Sequence, residues 1–241
     1  MKRANNNFKN AEGYPRITVL ICAFNEEKSL PHVLPKIPTW VDEVLLVDGH
    51  SMDKTVEVAR RLRPDIRVLY QPDRGKGDAL RYGIKHASGD IVVTLDADGA
   101  TDPKDMPKFI EPLLKGYDFA KGSRFTSSLP ANKASHRIFG NLLIAAVFNI
   151  VYGGRYTDLC SGYNAFWKRA LERVNFESSD CFEDEPLLVA RVKRAGLRIA
   201  EVGHRDLGRI YGEGKAPSWR QGLKAIKTIV RERILGAYRT P

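Results

Sequence analysis

The chain has 241 residues, 43% of them hydrophobic and 28% charged, and Lys plus Arg outnumber Asp plus Glu by 39 to 29, for a net charge of +10. That length suffices for one large domain or two small ones, and those proportions are those of an ordinary soluble globule. The basic balance points to anionic partners, whether nucleic acid, a membrane surface or phosphorylated small molecules, and the three cysteines (Cys22, Cys160, Cys181) have no metal-type spacing and read as reduced thiols of a cytosolic protein.

The segment MKRANNNFKN puts no apolar stretch behind its charges, so residues 1–15 read as a disordered basic arm rather than a signal peptide. Strand and helix then alternate. Ile17–Ile21 is expected as a strand, Glu26–Val33 as a short helix ended before Pro35, Val44–Val47 as a strand and Asp53–Leu62 as a helix. Ile66–Tyr70 follows as a strand, Asp78–His86 as a helix opened by GKG, Ile91–Leu95 as a strand, Pro103–Lys115 as a helix and Tyr117–Lys121 as a strand. The second half is less regular. It holds an apolar helix over Ile138–Val151, a loop GGRYTDLCSGYNAF, a helix over Pro186–Ala195 behind the acidic CFEDE, a strand over Leu197–Val202 and a basic loop GHRDLGRIYGEGK. A last helix, Ser218–Leu235, carries Leu223, Ile226, Val230 and Ile234 on one stripe, with Arg220, Lys224, Lys227, Arg231 and Arg233 elsewhere around it. No window reaches the roughly 18 apolar residues of a spanning helix.

Alternation at this spacing implies an α/β fold: a mostly parallel sheet flanked by helices, followed by C-terminal amphipathic helices. Ligands of such sheets bind at the carboxyl ends of the strands. VLLVDGHS, YQPDRGKG and TLDADG all lie there. Asp96 and Asp98 are two apart, so in extended chain both face one side; hard oxygen donors without His or Cys suit Mg²⁺ or Mn²⁺. An EF-hand is excluded, because Gly99 follows the second Asp directly and Pro107 stands where that loop needs Glu. Asp102 before Pro103 reads as a helix cap. Asp48 is placed either to accept from a base or ribose or to cap a turn. RGKGDALRYG lacks the P-loop pattern, yet its glycines permit close backbone approach and Lys76 supplies a point charge.

The ordered set AFNEE (Ala23–Glu27), VDGHSMDKT (Val47–Thr55), GKGDALRYG (Gly75–Gly83) and DADG (Asp96–Gly99) resembles the family 2 glycosyltransferases, whose fold is GT-A. KGSRF (Lys121–Phe125), TDLCSGYNAF (Thr157–Phe166) and FEDE (Phe182–Glu185) resemble the branch of dolichol-phosphate mannose synthases and polyprenyl-phosphate sugar transferases. The resemblance covers residues 16–215, taken as the catalytic domain, with 216–241 as a basic amphipathic helix. It implies an inverting, metal-dependent transfer of a hexose from a GDP- or UDP-sugar to a polyprenyl or dolichyl phosphate, the alternative being a hydroxyl acceptor. It places Ala23, Phe24, Glu26, Asp48, Lys76 and Asp96 on the donor, and Asp96 and Asp98 on Mg²⁺ or Mn²⁺. Arg124 and Arg137 fall on the acceptor phosphate, and Arg209 and Lys215 on the diphosphate. A hydroxyl acceptor would need a base, for which Asp158, Glu183 and Asp184 are the candidates. The chain departs from the family in two places: Cys22 replaces the usual Pro, and Asp-Gly-His-Ser (Asp48–Ser51) stands for the usual Asp-Asp-Gly-Ser, so the second carboxylate is missing and His50 intrudes.

A lipid acceptor would give Ile138–Val151 and the last helix a peripheral place at the cytoplasmic face of a membrane. Two more remote readings are a sugar nucleotidyltransferase, which would want a Gly-rich signature where AFNEE stands, and a nucleic-acid binder, which would interleave aromatic with basic residues. No nucleic-acid partner is expected.

Overall fold

The computed structural model describes residues 13–126, 135–174, 185–212 and 219–235. The expected N-terminal arm lies mainly on residues 1–12, outside that set. The alternating half forms as the pattern predicts. It comprises β1 (Ile17–Ala23), α1 (Leu30–Val33), β2 (Glu43–Asp48), α2 (Thr55–Leu62), β3 (Arg67–Tyr70), α3 (Lys76–His86), β4 (Ile91–Asp96), α4 (Met106–Leu114) and β5 (Phe119–Ser123). After it come α5 (Ser135–Tyr152), β6 (Asn164–Trp167), α6 (Lys168–Glu172), α7 (Glu185–Arg194), β7 (Ile199–Gly203) and α8 (Trp219–Leu235). Asp102 caps a 3₁₀ turn ahead of α4, accepting from the Lys104 amide at 3.0 Å.

The seven strands make one sheet in the order β3-β2-β1-β4-β6-β5-β7. All are parallel except β6, which runs antiparallel to both β4 and β5. The sequence pattern predicts a loop over residues 153–166, where the structure has this strand. Only four residues long and preceded by Gly and polar residues, NAFW shows no period of its own; it is fixed by the two edges it joins.

Side chains alternate across the central strands, giving the sheet a core on each face. Ile17, Val19 and Ile21 of β1, with Val44, Leu46, Ile91 and Val93, pack on one side against α1, α2 and α4. Leu20, Leu45, Val47 and Val92 pack on the other against α3, α6 and α7. A third cluster joins α5, α7 and α8 through Ile144, Phe148, Val189, Ala190, Ala225 and Ile229. In α8 the stripe read from sequence is not the inward face: Leu223, Val230 and Ile234 are exposed while Ala225 and Ile229 are buried.

Gly83 lets α3 lie close on the sheet. A Cβ there would sit 2.3 Å from Leu20 Cδ1 and 2.9 Å from Val47 Cγ2. Gly83→Ala is therefore expected to lower stability by about 1–3 kcal/mol through overpacking, read as a fall in the urea midpoint at unchanged slope; an unchanged midpoint would show that this helix–sheet contact has slack.

Candidate active site

Parallel strands that start together also end together. The register pairs Ala23 with Asp48 and Cys22 with Asp96, so the polar residues after β1, β2 and β4 line up along one edge. At the β2 end Asp48 is buried; its Oδ2 accepts from the Ser51 amide at 2.9 Å, and its Oδ1 has no partner. An unsatisfied buried carboxylate oxygen is costly, and a ligand donor is the natural remedy. Phe24 stands exposed beside it. Asn25 and His50 both adopt left-handed backbone, with φ of 55° and 64°. The Asn25 amide donates to Ser51 Oγ and its side-chain oxygen accepts from the Met52 amide, knitting the β1 and β2 loops together. His50, the residue that intrudes into the Asp48–Ser51 stretch, thus sits in left-handed backbone.

β4 stops at Asp96, and Asp98 lies in the turn beyond, so each carboxylate meets a different cation. Lys76, at the start of α3, places Nζ 2.6 Å from Asp96 Oδ1 and 3.2 Å from Glu185 Oε1. Burial opposes the lysine's charge, but the two carboxylates outweigh it and raise its pKa. Burial also works against the Asp96 charge, and Lys76 overcomes it, so that carboxyl sits below its ordinary value. Asp98 moves the other way: burial, and then the neighbouring Asp96 charge, push its pKa up. Arg209 arrives from the loop after β7, 3.4 Å from Asp98 Oδ2, and also donates to Glu26 Oε1. Gly162 leaves room for the Lys76–Asp96 contact, since a Cβ there would stand 2.6 Å from Asp96 Oδ2 and 2.7 Å from Lys76 Nζ. Among the described residues no group of three or more His, Cys, Asp or Glu side chains is arranged to hold a metal. The donor set, two carboxylate groups close to each other without His or Cys, suits a hard cation that completes its shell with water and phosphate oxygens.

Arg124, after β5, closes a two-pronged ion pair with Asp158: Nε to Oδ2 at 2.6 Å and Nη2 to Oδ1 at 2.9 Å. Asp158 is wholly buried and also accepts from the Arg124 and Cys160 amides. Burial disfavours its charge, but the Arg124 bonds prevail and hold the carboxyl well below the usual aspartate range. A carboxylate held in this way by Arg124 takes up a proton poorly; the geometry makes Asp158 the counter-ion of Arg124. Arg137 lies in the first turn of α5, with its side chain outside the described set; Glu183, Asp184 and Lys215 lie outside the described residues altogether.

Three residues here were not singled out from sequence. Glu185, the last acid of FEDE, holds Lys76 with one oxygen and accepts from Asn164 Nδ2 at 3.3 Å with the other. Lys121 is fully buried, donating to the carbonyls of Ser161 at 2.7 Å and Gly122 at 3.1 Å; burial lowers its pKa against the pull of Asp158 and Glu185. His204 is buried with Nδ1 3.0 Å from the Arg205 carbonyl, which only accepts, so Nδ1 carries the proton and Nε2 accepts from Ser161 Oγ at 2.8 Å. KGSRF and FEDE contained two of the three, but only contact across β5, β6 and α7 reveals what they do.

The profile of the family described as Glycosyl transferase family 2 matches residues 18–174. An uncharacterised protein of Methanocaldococcus jannaschii is 31% identical, covering 97% of this chain and 98% of its own length. The dolichyl-phosphate hexose transferase of Haloferax volcanii is 29% identical over 89% of this chain and 92% of its own. In fold, the chain is similar to glucosyl-3-phosphoglycerate synthase of Mycobacterium tuberculosis in complex with Mn²⁺, UDP-glucose and phosphoglyceric acid. The TM-score is 0.67 at 23% identity, covering 91% of this chain and 80% of the other.

Asp158→Asn leaves Arg124 buried without its partner and is expected to cost about 3–5 kcal/mol of stability at neutral pH. Because the folded carboxyl titrates below its unfolded value, the contribution is present above the ordinary aspartate pKa and is lost as pH falls beneath it. The gap between wild type and variant, measured by urea unfolding, should therefore narrow below about pH 4; a gap independent of pH would refute the ion-pair account.

Proposed function

The chain belongs to glycosyl transferase family 2, and on that premise we propose that it moves a hexose, with inversion, from a nucleotide-diphosphate sugar to the phosphate of a polyprenyl lipid. It is a glycosyltransferase with the GT-A α/β fold; donor, acceptor and metal are the proposed part. The observation that carries the reading is the rim itself: Asp96 and Asp98 at the carboxyl edge of a parallel sheet, each faced by a cation from another element.

Asp48, with its unpartnered Oδ1, would take a donor group of the base or ribose, and Ala23, Phe24 and Glu26 would wall that side. A UDP-sugar is the first donor to consider, since UDP accompanies the structurally similar synthase, and a GDP-sugar the second. Asp96 and Asp98 would hold Mg²⁺ or Mn²⁺, which when bound neutralises the diphosphate and makes it a competent leaving group. Lys76 and Arg209, already at the carboxylates, would turn to the diphosphate oxygens, with Lys215 beside them.

For the acceptor, charge decides. A lipid phosphate is an anion near neutral pH, with a second pKa of about 6, and needs positioning rather than a base. Arg124, locked by Asp158 through Nε and Nη2, would offer Nη1 to that phosphate, with Arg137 as second ligand. A hydroxyl acceptor would require a base, and Asp158 is committed to Arg124. The similarity to a dolichyl-phosphate hexose transferase supports the same choice. Such an acceptor resides in a bilayer, so transfer would take place at a membrane surface; among the described residues no helix is long and apolar enough to cross one.

The test has two arms. UDP- or GDP-sugars should raise the melting temperature chiefly with Mn²⁺ present, and Asp98→Asn should remove that increment. Arg124→Ala should keep the donor increment and lose transfer to an isoprenyl phosphate by about 100-fold or more, as expected for a charge-assisted contact. No metal-dependent donor shift would defeat the donor reading; full transfer by Arg124→Ala would defeat the acceptor assignment.

A further inference from the structure

Helix α5 is apolar on the side it buries and on the side it shows. Ile144, Ala145 and Phe148 point into the core, while Phe139, Leu142, Leu143, Ala146 and Ile150 form the outward stripe. Phe139 is 69% and Ile150 84% exposed. A helix on the surface of a soluble protein normally turns charge outward, and a contiguous apolar stripe marks a face that meets something.

The stripe does not end with α5. Helix α8 packs beside it: Tyr152 donates its hydroxyl to the Ile229 carbonyl at 3.2 Å, and Arg233 lies 6.0 Å from the Tyr152 ring centre. On its other flank Glu232 pairs with Arg191 and Arg194 of α7. At about 100° per residue, the surface of α8 passes from the Arg233 side to Val230, Leu223 and Ile234, and then to Lys227 and Arg231. All five are exposed. The apolar band therefore continues across α8 and finishes in a basic edge. Glu232, the sole acid of either helix, is turned to the arginines of α7, so the face offers no negative charge.

We infer that the α5–α8 face docks on the head-group layer of an anionic lipid bilayer. Phe139, Leu142, Leu143 and Ile150 enter the acyl boundary, and Lys227 and Arg231 meet the lipid phosphates. The inference deepens the lipid-phosphate reading, on which it rests for its purpose. Charge selects the occupant: a net charge of +10 and a basic edge suit an anionic surface. In a two-fold pair of this chain the same basic edge would recur on both copies with no acid to meet it. The stripe from Phe139 to Ile150 is about 16 Å long at the helical rise, long enough to lie in an interface and too short to span one. Chain order agrees as well: α5 is the next helix after the strand that leads to Arg124, and it carries Arg137 in its first turn.

Sedimentation of the full chain with vesicles tests this, using phosphatidylcholine alone or mixed with phosphatidylglycerol and no acceptor lipid. Wild type should partition to the anionic vesicles and be released by salt. Lys227→Glu with Arg231→Glu should weaken partitioning by about thirtyfold or more. Leu142→Glu with Ile150→Glu should weaken it by at least about tenfold. Both pairs should keep the wild-type melting temperature, donor binding and transfer to a water-soluble short-chain isoprenyl phosphate. Wild type left in the supernatant, variants that bind as well as wild type, or variants that merely convert a dimer to a monomer would each overturn the inference. Vesicle binding that depends on these residues, in a protein that glycosylates no isoprenyl phosphate, would uphold the face and refute the lipid-acceptor reading instead.

Discussion

Like charges crowded at the edge of a parallel sheet set the terms for everything around them. Glu26, Asp48, Asp96 and Asp98 converge there because parallel strands deliver their loops to the same side, and Glu185, at the start of α7, joins them through Lys76. In partly desolvated surroundings such a group is unfavourable without cations. Among the described residues two are supplied, Lys76 from the start of α3 and Arg209 from the loop after β7, and each bridges two acids. The bridging ties α3 to α7, and the β7 loop to β1 and β4. The same electrostatics that hold the loops in place would let them exchange one partner for the proposed diphosphate and its divalent counter-ion.

Arg124 and Asp158 obey the same rule in a drier place. The pair is closed on both prongs and buried, so its aspartate is stabilised as an anion rather than poised to accept a proton. An acid near a reaction centre is easily read as a base from sequence, where its partner is not visible. The contact spans 34 positions and is created by β5 lying against the segment that becomes β6. What distinguishes base from counter-ion is the neighbour, and the neighbour is a tertiary fact.

Legibility followed the range of the forces involved. Strands β1, β2 and β4 are buried on both faces and announce themselves as unbroken apolar runs, and the helices between them carry local stop and start signals; these were readable, as was the carboxyl edge on which Asp48, Lys76, Asp96 and Asp98 meet. β6 was not, since its conformation is imposed by two neighbouring strands. Nor were the partners of the two carboxylates, Lys76 from α3 for Asp96 and Arg209 from the loop after β7 for Asp98, which no local pattern reveals. The apolar character of Ile138–Val151 was plain in sequence, but which residues face outward depends on α7 and α8. Likewise the α8 stripe was visible, yet its inward face is Ala225 and Ile229, small enough to let the helix settle against α5.

The single antiparallel strand carries a further consequence, for the order in which the protein can be assembled. β1 to β4 make a self-consistent parallel unit, but the outer edge of β4 has no partner until Asn164 arrives to bond Thr94 across 70 residues of chain. On the ribosome, that edge is bare for the whole of the intervening synthesis, and bare strand edges invite pairing with other chains. Closure is thus a late, long-range event, of the kind that slows folding. The parallel half of the sheet, with Asp48 and Asp96 at its edge, can take shape first, while the half that carries Arg124 awaits the return of β6, so that a truncated or stalled nascent chain displays a parallel scaffold with an adhesive margin.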